Sequence, residues 1–132
     1  MIIIDASALL PILIDQAPGT NSTLQRISEF ATKDLAAPHL VDLEIASTLR
    51  RMVSQEGLSQ HIATGALGDL AGMRLRRFPH HLLLDRVWEL RHNLTAYDAA
   101  YLALAETLEV PLVTRDRALA IPDTTAEIVV IA

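Results

Sequence analysis

Four acidic residues, far apart along the chain, have the types and positions best suited to chemistry: Asp5, Glu44, Asp98 and Asp116. Asp5 and Asp116 each closely follow a short apolar run, where a solvated acid has no packing reason to recur. Converging carboxylates repel one another and are costly to bury unpaired, and a hard divalent cation resolves that conflict. An all-oxygen set suits Mg²⁺ or Mn²⁺ better than Zn²⁺, and such a cation supports hydrolysis of a phosphate ester by activating a bound water.

Each of these acids also has an ordinary structural explanation, which the residues alone leave open. Side-chain oxygens favour helix N-caps, and acids in a first turn offset the helix dipole. The alternatives are a cap of the first helix by Asp5 or by Ser7, a Thr95 cap with Asp98 in the first turn, a cap by Asp116, and a solvated Glu44 like its neighbour Asp42.

Apolar runs and helical spacings predict the elements that must position these acids. The predicted strands are Met1–Asp5, Leu35–Pro38, Val110–Thr114 and Glu127–Ile131, with Arg74–Pro79 as a short strand or a loop. The predicted helices are Asp5 to about Ile14, about Asn21–Ala31 after a break at Asp15–Gly19, His39–Glu56, Ser59–Leu70, Leu82–Arg91 and Leu94–Leu108, with a short helical turn after Asp116.

The helix that carries Asp98 has the clearest pattern. Tyr97, Tyr101, Leu104 and Leu108 recur at steps of four, three and four, which is one face of an α-helix. The alanines between them leave little side-chain bulk. We therefore expect this helix to lie close against a sheet or another helix.

The order of the elements predicts the fold class. Strands that alternate with helices indicate an α/β fold with a parallel sheet covered on both faces. Ligands of such sheets bind outside the carboxyl ends of the strands, which places Asp5 and Asp116 on the functional edge. A chain of 132 residues fits a single domain spanning residues 1–132.

Composition narrows the function classes. Hydrophobic residues make up 51% and charged residues 20% of the chain, which favours a packed core over disorder. The absence of cysteine excludes disulfides and thiolate metal sites and suits a cytoplasmic location. Met1–Ile14 is too short to span a bilayer and lacks the basic start of a signal peptide, so we expect no membrane association.

The basic residues argue for local contacts with any nucleic acid. A net charge of −5 excludes binding by bulk charge, and ten of the eleven basic residues are Arg, which forks onto phosphate. Arg115 and Arg117 flank Asp116 and are placed to bind a scissile phosphate, with a first-turn ion pair as an equal alternative. Arg74, Arg76 and Arg77 are expected in a solvated loop, with contact to a nucleic-acid backbone as the alternative. The histidines are expected at surface or packing positions.

Four blocks of the sequence resemble the PIN domain and, within it, the VapC toxins of bacterial toxin–antitoxin pairs. The order, spacing and flanking residues all agree, whereas the stretch from about Gly57 to His81 carries no family signature. The blocks are residues 2–9 (IIIDASAL), 37–44 (APHLVDLE), 94–106 (LTAYDAAYLALAE) and 111–119 (PLVTRDRAL).

The resemblance implies a three-layer α/β/α sandwich with a mostly parallel sheet of four or five strands, and a metal-dependent endoribonuclease. Asp5, Asp98 and Asp116 would hold Mg²⁺ or Mn²⁺, and Glu44 would complete the cluster or orient the attacking water. Ser7 and Thr114 would be hydroxyls that position the acids. The resemblance further implies structured RNA, tRNA or ribosomal RNA, as substrate, a homodimer, and a small VapB-like antitoxin that silences the site.

Other classes lack particular residues. A haloacid-dehalogenase-like phosphatase needs a second Asp where Ser7 stands and a well-placed Lys, for which Lys33 is the only candidate. A phosphoreceiver needs paired acids after its first strand and a late Lys, and neither is present. Two alternatives stay open: a PIN-type RNA-processing nuclease that is not a toxin, and an inactive scaffold that binds RNA or protein.

Overall fold

Five short parallel strands form the sheet of the computed structural model, which describes residues 1–14 and 34–131. The sheet order is β3-β2-β1-β4-β5, with β1 in the middle and at most 1% exposed. This confirms the predicted α/β class and makes residues 75–78 a strand. The strands are β1 Ile2–Ile4, β2 Leu35–Pro38, β3 Leu75–Phe78, β4 Leu112–Thr114 and β5 Ile128–Val130.

Helices connect the strands and cover the sheet in two groups, α1 with α2 and α3, and α4 with α5, in the predicted three-layer arrangement. None within the described ranges is long and apolar enough to cross a membrane. The predicted break at 15–19 and helix at 21–31 lie outside the described residues. The helices are α1 Ala6–Ile14, α2 Val41–Gln55, α3 Gln60–Gly72, α4 Leu84–Glu89 and α5 Ala96–Leu108, with 3₁₀ turns at His81–Leu83 and Arg117–Leu119.

Helix α5 is more deeply buried than its predicted single apolar face implies. Every residue from 99 to 105 is buried, because alanines on the remaining sides let the helix approach β1, β2 and β4 closely. Tyr97, by contrast, is 64% exposed, so the predicted apolar face begins one turn later, at Tyr101. The first turn of α5 thus stands at the surface while its centre anchors the core.

Two forked ion pairs tie the periphery to this core. Arg77 on β3 donates to both carboxylate oxygens of Asp42 on α2, at 2.7 and 2.9 Å. Arg86 on α4 does the same to Glu106 on α5, at 2.8 and 3.0 Å. The prediction of Arg77 in a solvated loop is therefore wrong, since its strand pairs with β2 and its guanidinium is occupied by Asp42.

Candidate active site

The carboxyl ends of β1 and β4 form the floor of the site. β1 and β4 are neighbours in the sheet, although β2 and β3 lie between them in the sequence. The order in which strands are added to the sheet therefore reverses its direction between β1 and β4. The amide of Asp5 continues the pairing by donating to the carbonyl of Val113 at 3.2 Å. Such a switch point leaves a crevice at the sheet edge, and it is where ligands of parallel sheets bind.

Asp5 is buried at this crevice and densely hydrogen-bonded. Its Oδ1 accepts from the Ser7 hydroxyl at 2.7 Å and from the Ala8 amide at 3.0 Å, and its Oδ2 accepts from the Thr114 hydroxyl. Asp5 rather than Ser7 is thus the cap of α1. Because a carboxylate offers about four acceptor positions, one remains for a ligand in the crevice.

The hydroxyls of Ser7 and Thr114 also fix the loop that carries Asp116. Ser7 Oγ accepts from the Arg115 amide, and Thr114 Oγ1 accepts from the Asp116 amide, each at 2.9 Å. Asp116 in turn accepts from the Ala118 amide at 2.9 Å and caps the 3₁₀ turn. Two hydroxyls therefore set the separation of Asp5 and Asp116, in agreement with the positioning role that the resemblance implies.

Asp98 and Glu44 reach the crevice from two helices. Thr95 caps α5 by accepting from the Asp98 amide at 3.2 Å, which leaves the Asp98 carboxylate half-buried in the first turn. Glu44, in the first turn of α2, accepts from the Tyr101 hydroxyl at 2.6 Å. Glu44 is therefore half-buried and hydrogen-bonded, unlike the solvated helix residue that was the alternative.

All four predicted acids border one cavity of about 580 Å³. Sequence reasoning missed three polar side chains of its wall, Thr48, Arg51 and Tyr101. The helical spacing of Thr48 and Arg51, four and seven residues after Glu44, could have placed them on the same face. Of the two predicted phosphate-binding arginines, Arg115 lines the cavity and Arg117 does not, and neither forms an ion pair with a described residue.

The electrostatics of the cavity are those of crowded, partly desolvated carboxylates. Burial raises the pKa of Asp5, Glu44 and Asp98 above their ordinary values. Repulsion adds to burial, from Asp116 on Asp5, from Asp98 and Asp5 on Glu44, and from Asp116 and Asp5 on Asp98. Hydrogen bonds from Thr114, Ser7 and Tyr101 oppose the rise without cancelling it, so the folded protein disfavours these negative charges.

The side chains around the cavity offer oxygen atoms, the donors that a hard cation prefers. In residues 1–14 and 34–131, no three acidic or histidine side chains stand close enough together to form a complete metal site. The acids instead surround the cavity from both strand ends and two helices, and no histidine lines it. Oxygen ligands supplemented by water are typical of Mg²⁺ and Mn²⁺ and atypical of Zn²⁺.

Comparison with known proteins identifies the relatives of this chain. The PIN domain profile matches residues 2–123. Ribonuclease VapC9 of Mycobacterium tuberculosis is 42% identical over 116 residues, covering 88% of this chain and 86% of that protein.

Two solved structures share the fold at low sequence identity. VapC20 of M. tuberculosis, a sarcin-ricin-loop-cleaving toxin, has a TM-score of 0.67 and 16% identity, covering 95% of this chain and 97% of its own. VapBC2 of Rickettsia felis, bound to a promoter DNA fragment, has a TM-score of 0.66 and 17% identity, covering 97% and 98%. The profile match over residues 2–123 and the 42% identity to VapC9 show that the chain belongs to the PIN-domain family, and the predicted resemblance is confirmed.

Proposed function

We propose that this protein is a metal-dependent endoribonuclease that hydrolyses phosphodiester bonds of structured RNA, tRNA or ribosomal RNA, as the toxin of a toxin–antitoxin pair. The observation that carries the proposal is the meeting of Asp5, Glu44, Asp98 and Asp116 around one cavity. Family membership supports the ribonuclease activity, since relatives such as VapC9 are ribonucleases. The activity of VapC20 on the sarcin-ricin loop supports a structured substrate.

Asp5, Asp98 and Asp116 would hold the divalent cation, Mg²⁺ or Mn²⁺, directly or through water. When bound, such a cation lowers the pKa of a coordinated water and neutralises charge on a phosphate oxygen. The raised pKa values of Asp5 and Asp98 fit this assignment, because carboxylates that repel one another gain most from a shared positive charge.

Two further polar residues of the cavity, Glu44 and Arg115, act on the RNA substrate. Glu44 accepts a proton from the attacking water as the water oxygen joins phosphorus, and the departing ribose oxygen takes a proton from solvent. Arg115 lines the cavity and binds the phosphate, where its guanidinium forms two parallel hydrogen bonds. Arg117 lies outside the cavity wall and is left without a role at the scissile phosphate.

The proposed partners are a small VapB-like antitoxin that occupies the site and a second copy of this chain, in the cytoplasm. The VapBC2 complex of R. felis supports the antitoxin. Expression of the chain alone should arrest growth, and co-expression of the product of an adjacent small gene should relieve the arrest. RNA cleavage without growth arrest would instead indicate an RNA-processing nuclease.

The test of activity is incubation of the purified protein with tRNA and total RNA, in Mg²⁺, in Mn²⁺ and in EDTA. We expect cleavage only with a divalent cation, and none by Asp98→Asn. The matched control is Asp69→Asn, because Asp69 is an exposed acid of α3 outside the cavity wall and its substitution should leave cleavage unchanged. Cleavage in EDTA, or equal cleavage by wild type and Asp98→Asn, would contradict the proposal.

A further inference from the structure

Tyr101 carries a hydroxyl that core packing does not explain. It is 1% exposed and lies in the fully buried part of α5, between alanines and leucines. A phenylalanine ring would fill the same space, and it would not require a buried hydrogen-bond partner. The hydroxyl therefore calls for a reason outside hydrophobic packing.

The contacts of this hydroxyl supply one. It donates to Glu44 Oε1 at 2.6 Å. This hydrogen bond joins α5 to the first turn of α2, which carries Glu44.

Glu44 depends on this contact for its position. Within the described part of the chain, Tyr101 is the one residue whose side chain or backbone donates to the Glu44 carboxylate. Asp98 and Asp5 repel that carboxylate, and its three side-chain torsions would otherwise let it turn toward solvent. An anchored Oε1 leaves Oε2 available to the cavity.

We propose that Tyr101 is a positioning residue: its buried hydroxyl holds Glu44 Oε1 on the cavity wall, so that Oε2 meets the attacking water. This inference rests on the proposed ribonuclease function. Tyr101 borders the cavity but is only 1% exposed, and its hydroxyl hydrogen is donated to Glu44, so its effect on the reaction passes through Glu44.

The experiment compares Tyr101→Phe with Tyr97→Phe in a single-turnover RNA cleavage assay. Tyr97 lies one turn earlier on α5, is 64% exposed and forms no hydrogen bond through its hydroxyl with a described residue. Tyr101→Phe should lower the maximal rate by about tenfold to a hundredfold, the scale of a misplaced reacting group, with half-saturating RNA within about twofold of wild type. Tyr97→Phe should match wild type.

A double-mutant cycle separates positioning from a general effect on the fold. In a Glu44→Ala background, Tyr101→Phe should cause no further loss of rate, because the group through which it acts is absent. An equal loss in both backgrounds, or an unchanged rate in the single variant, would overturn the proposal.

A readout independent of activity distinguishes this inference from the proposed function. With ¹³C-carboxyl glutamate, the Glu44 signal, assigned with Glu44→Gln, should shift in Tyr101→Phe and stay in place in Tyr97→Phe. If wild type cleaves no RNA but this shift occurs, the ribonuclease function fails while the contact stands. An unshifted signal refutes the contact. If Tyr101→Phe does not fold, the ring signal of Tyr101 can be compared between wild type and Glu44→Ala instead. A shift of that signal supports the contact with Glu44, and an unshifted signal refutes it.

Discussion

Helix α5 carries two acids, Asp98 and Glu106, whose surroundings differ in charge. Asp98, in its first turn, faces the cavity and has no cationic partner among the described residues. Glu106, about 12 Å further along the axis, receives the fork of Arg86 and a hydrogen bond from Thr124 at 2.8 Å. The same helix thus holds one acid that is neutralised and one that is left exposed to other negative charges.

Helix α2 repeats this division within two residues. Asp42 forms a forked ion pair with Arg77, whereas Glu44 faces Asp5 and Asp98 and, among the described residues, accepts only from the Tyr101 hydroxyl. Glu44 forms no ion pair with a described residue, although Arg51 lines the same cavity. Because Asp42 and Glu44 stand in the first turn of one helix, their difference arises from their surroundings and not from the helix.

The pKa values of Glu106 and Asp98 shift in opposite directions. Burial alone would raise the pKa of Glu106, but the hydrogen bonds from Arg86 and Thr124 bring it below its ordinary value. Burial raises the pKa of Asp98, and repulsion by Asp116 and Asp5 raises it further. Ionised Glu106 therefore favours folding, whereas ionised Asp98 opposes it. Acids retained against stability are typical of functional sites.

The largest expected effect follows from neutralising a cavity acid. Asp5→Asn should reduce RNA cleavage by roughly 10²–10³-fold or more, the scale of losing one electrostatic contact to the transition state. Asparagine also caps helices and can still accept from Ala8, so the circular dichroism spectrum should match that of wild type. An unfolded variant would show that Asp5 matters chiefly as the cap of α1.

The sequence was sufficient to predict the strand ends, because short apolar runs followed by an acid are local patterns. Asp5 and Asp116 then had to meet, since the carboxyl ends of parallel strands lie at one edge. Capping a helix did not prevent these acids from reaching the cavity. Asp5 and Asp116 each accept a hydrogen bond from a helix amide with one carboxylate oxygen and still border the cavity.

The partners of each acid were beyond sequence reasoning, because they depend on tertiary packing. Nothing local distinguishes Asp42 from Glu44, and only the position of β3 beside β2 brings Arg77 to Asp42. Likewise, Tyr101 lies in the core as predicted, but the partner of its hydroxyl depends on where the fold places Glu44 of α2. Periodicity predicts which face is buried, not which polar atom on that face finds a partner.

The second-largest effect is expected on stability, when Glu106 at the other end of α5 loses its arginine partner. Arg86→Met keeps an unbranched side chain that can pack like the arginine stem but leaves Glu106, only 12% exposed, without its cation. We expect a loss of about 1–3 kcal/mol in the free energy of unfolding, measured by urea denaturation, with RNA cleavage unchanged. The control is Arg91→Met, since Arg91 stacks on exposed Trp88 and should contribute less. Equal losses in both variants would mean that the Glu106 pair is no more than a surface contact.

The smallest effect is a pair of opposite pH dependences, measured as melting temperature between pH 3 and 7 in EDTA. The pKa of Asp98 is raised above 3.8 by folding, so its favourable contribution is complete below 3.8 and is lost as pH rises through the folded value. Asp98→Asn should thus be more stable than wild type at pH 7, by about 1 kcal/mol or less, and equal to it in acid. The pKa of Glu106 is lowered from 4.5, so its contribution is present above 4.5 and is lost as pH falls. Glu106→Gln should therefore be less stable at pH 7, with the difference closing in acid. A destabilised Asp98→Asn at neutral pH would mean that its carboxylate supports the fold as Glu106 does, and the contrast between the two ends of α5 would disappear.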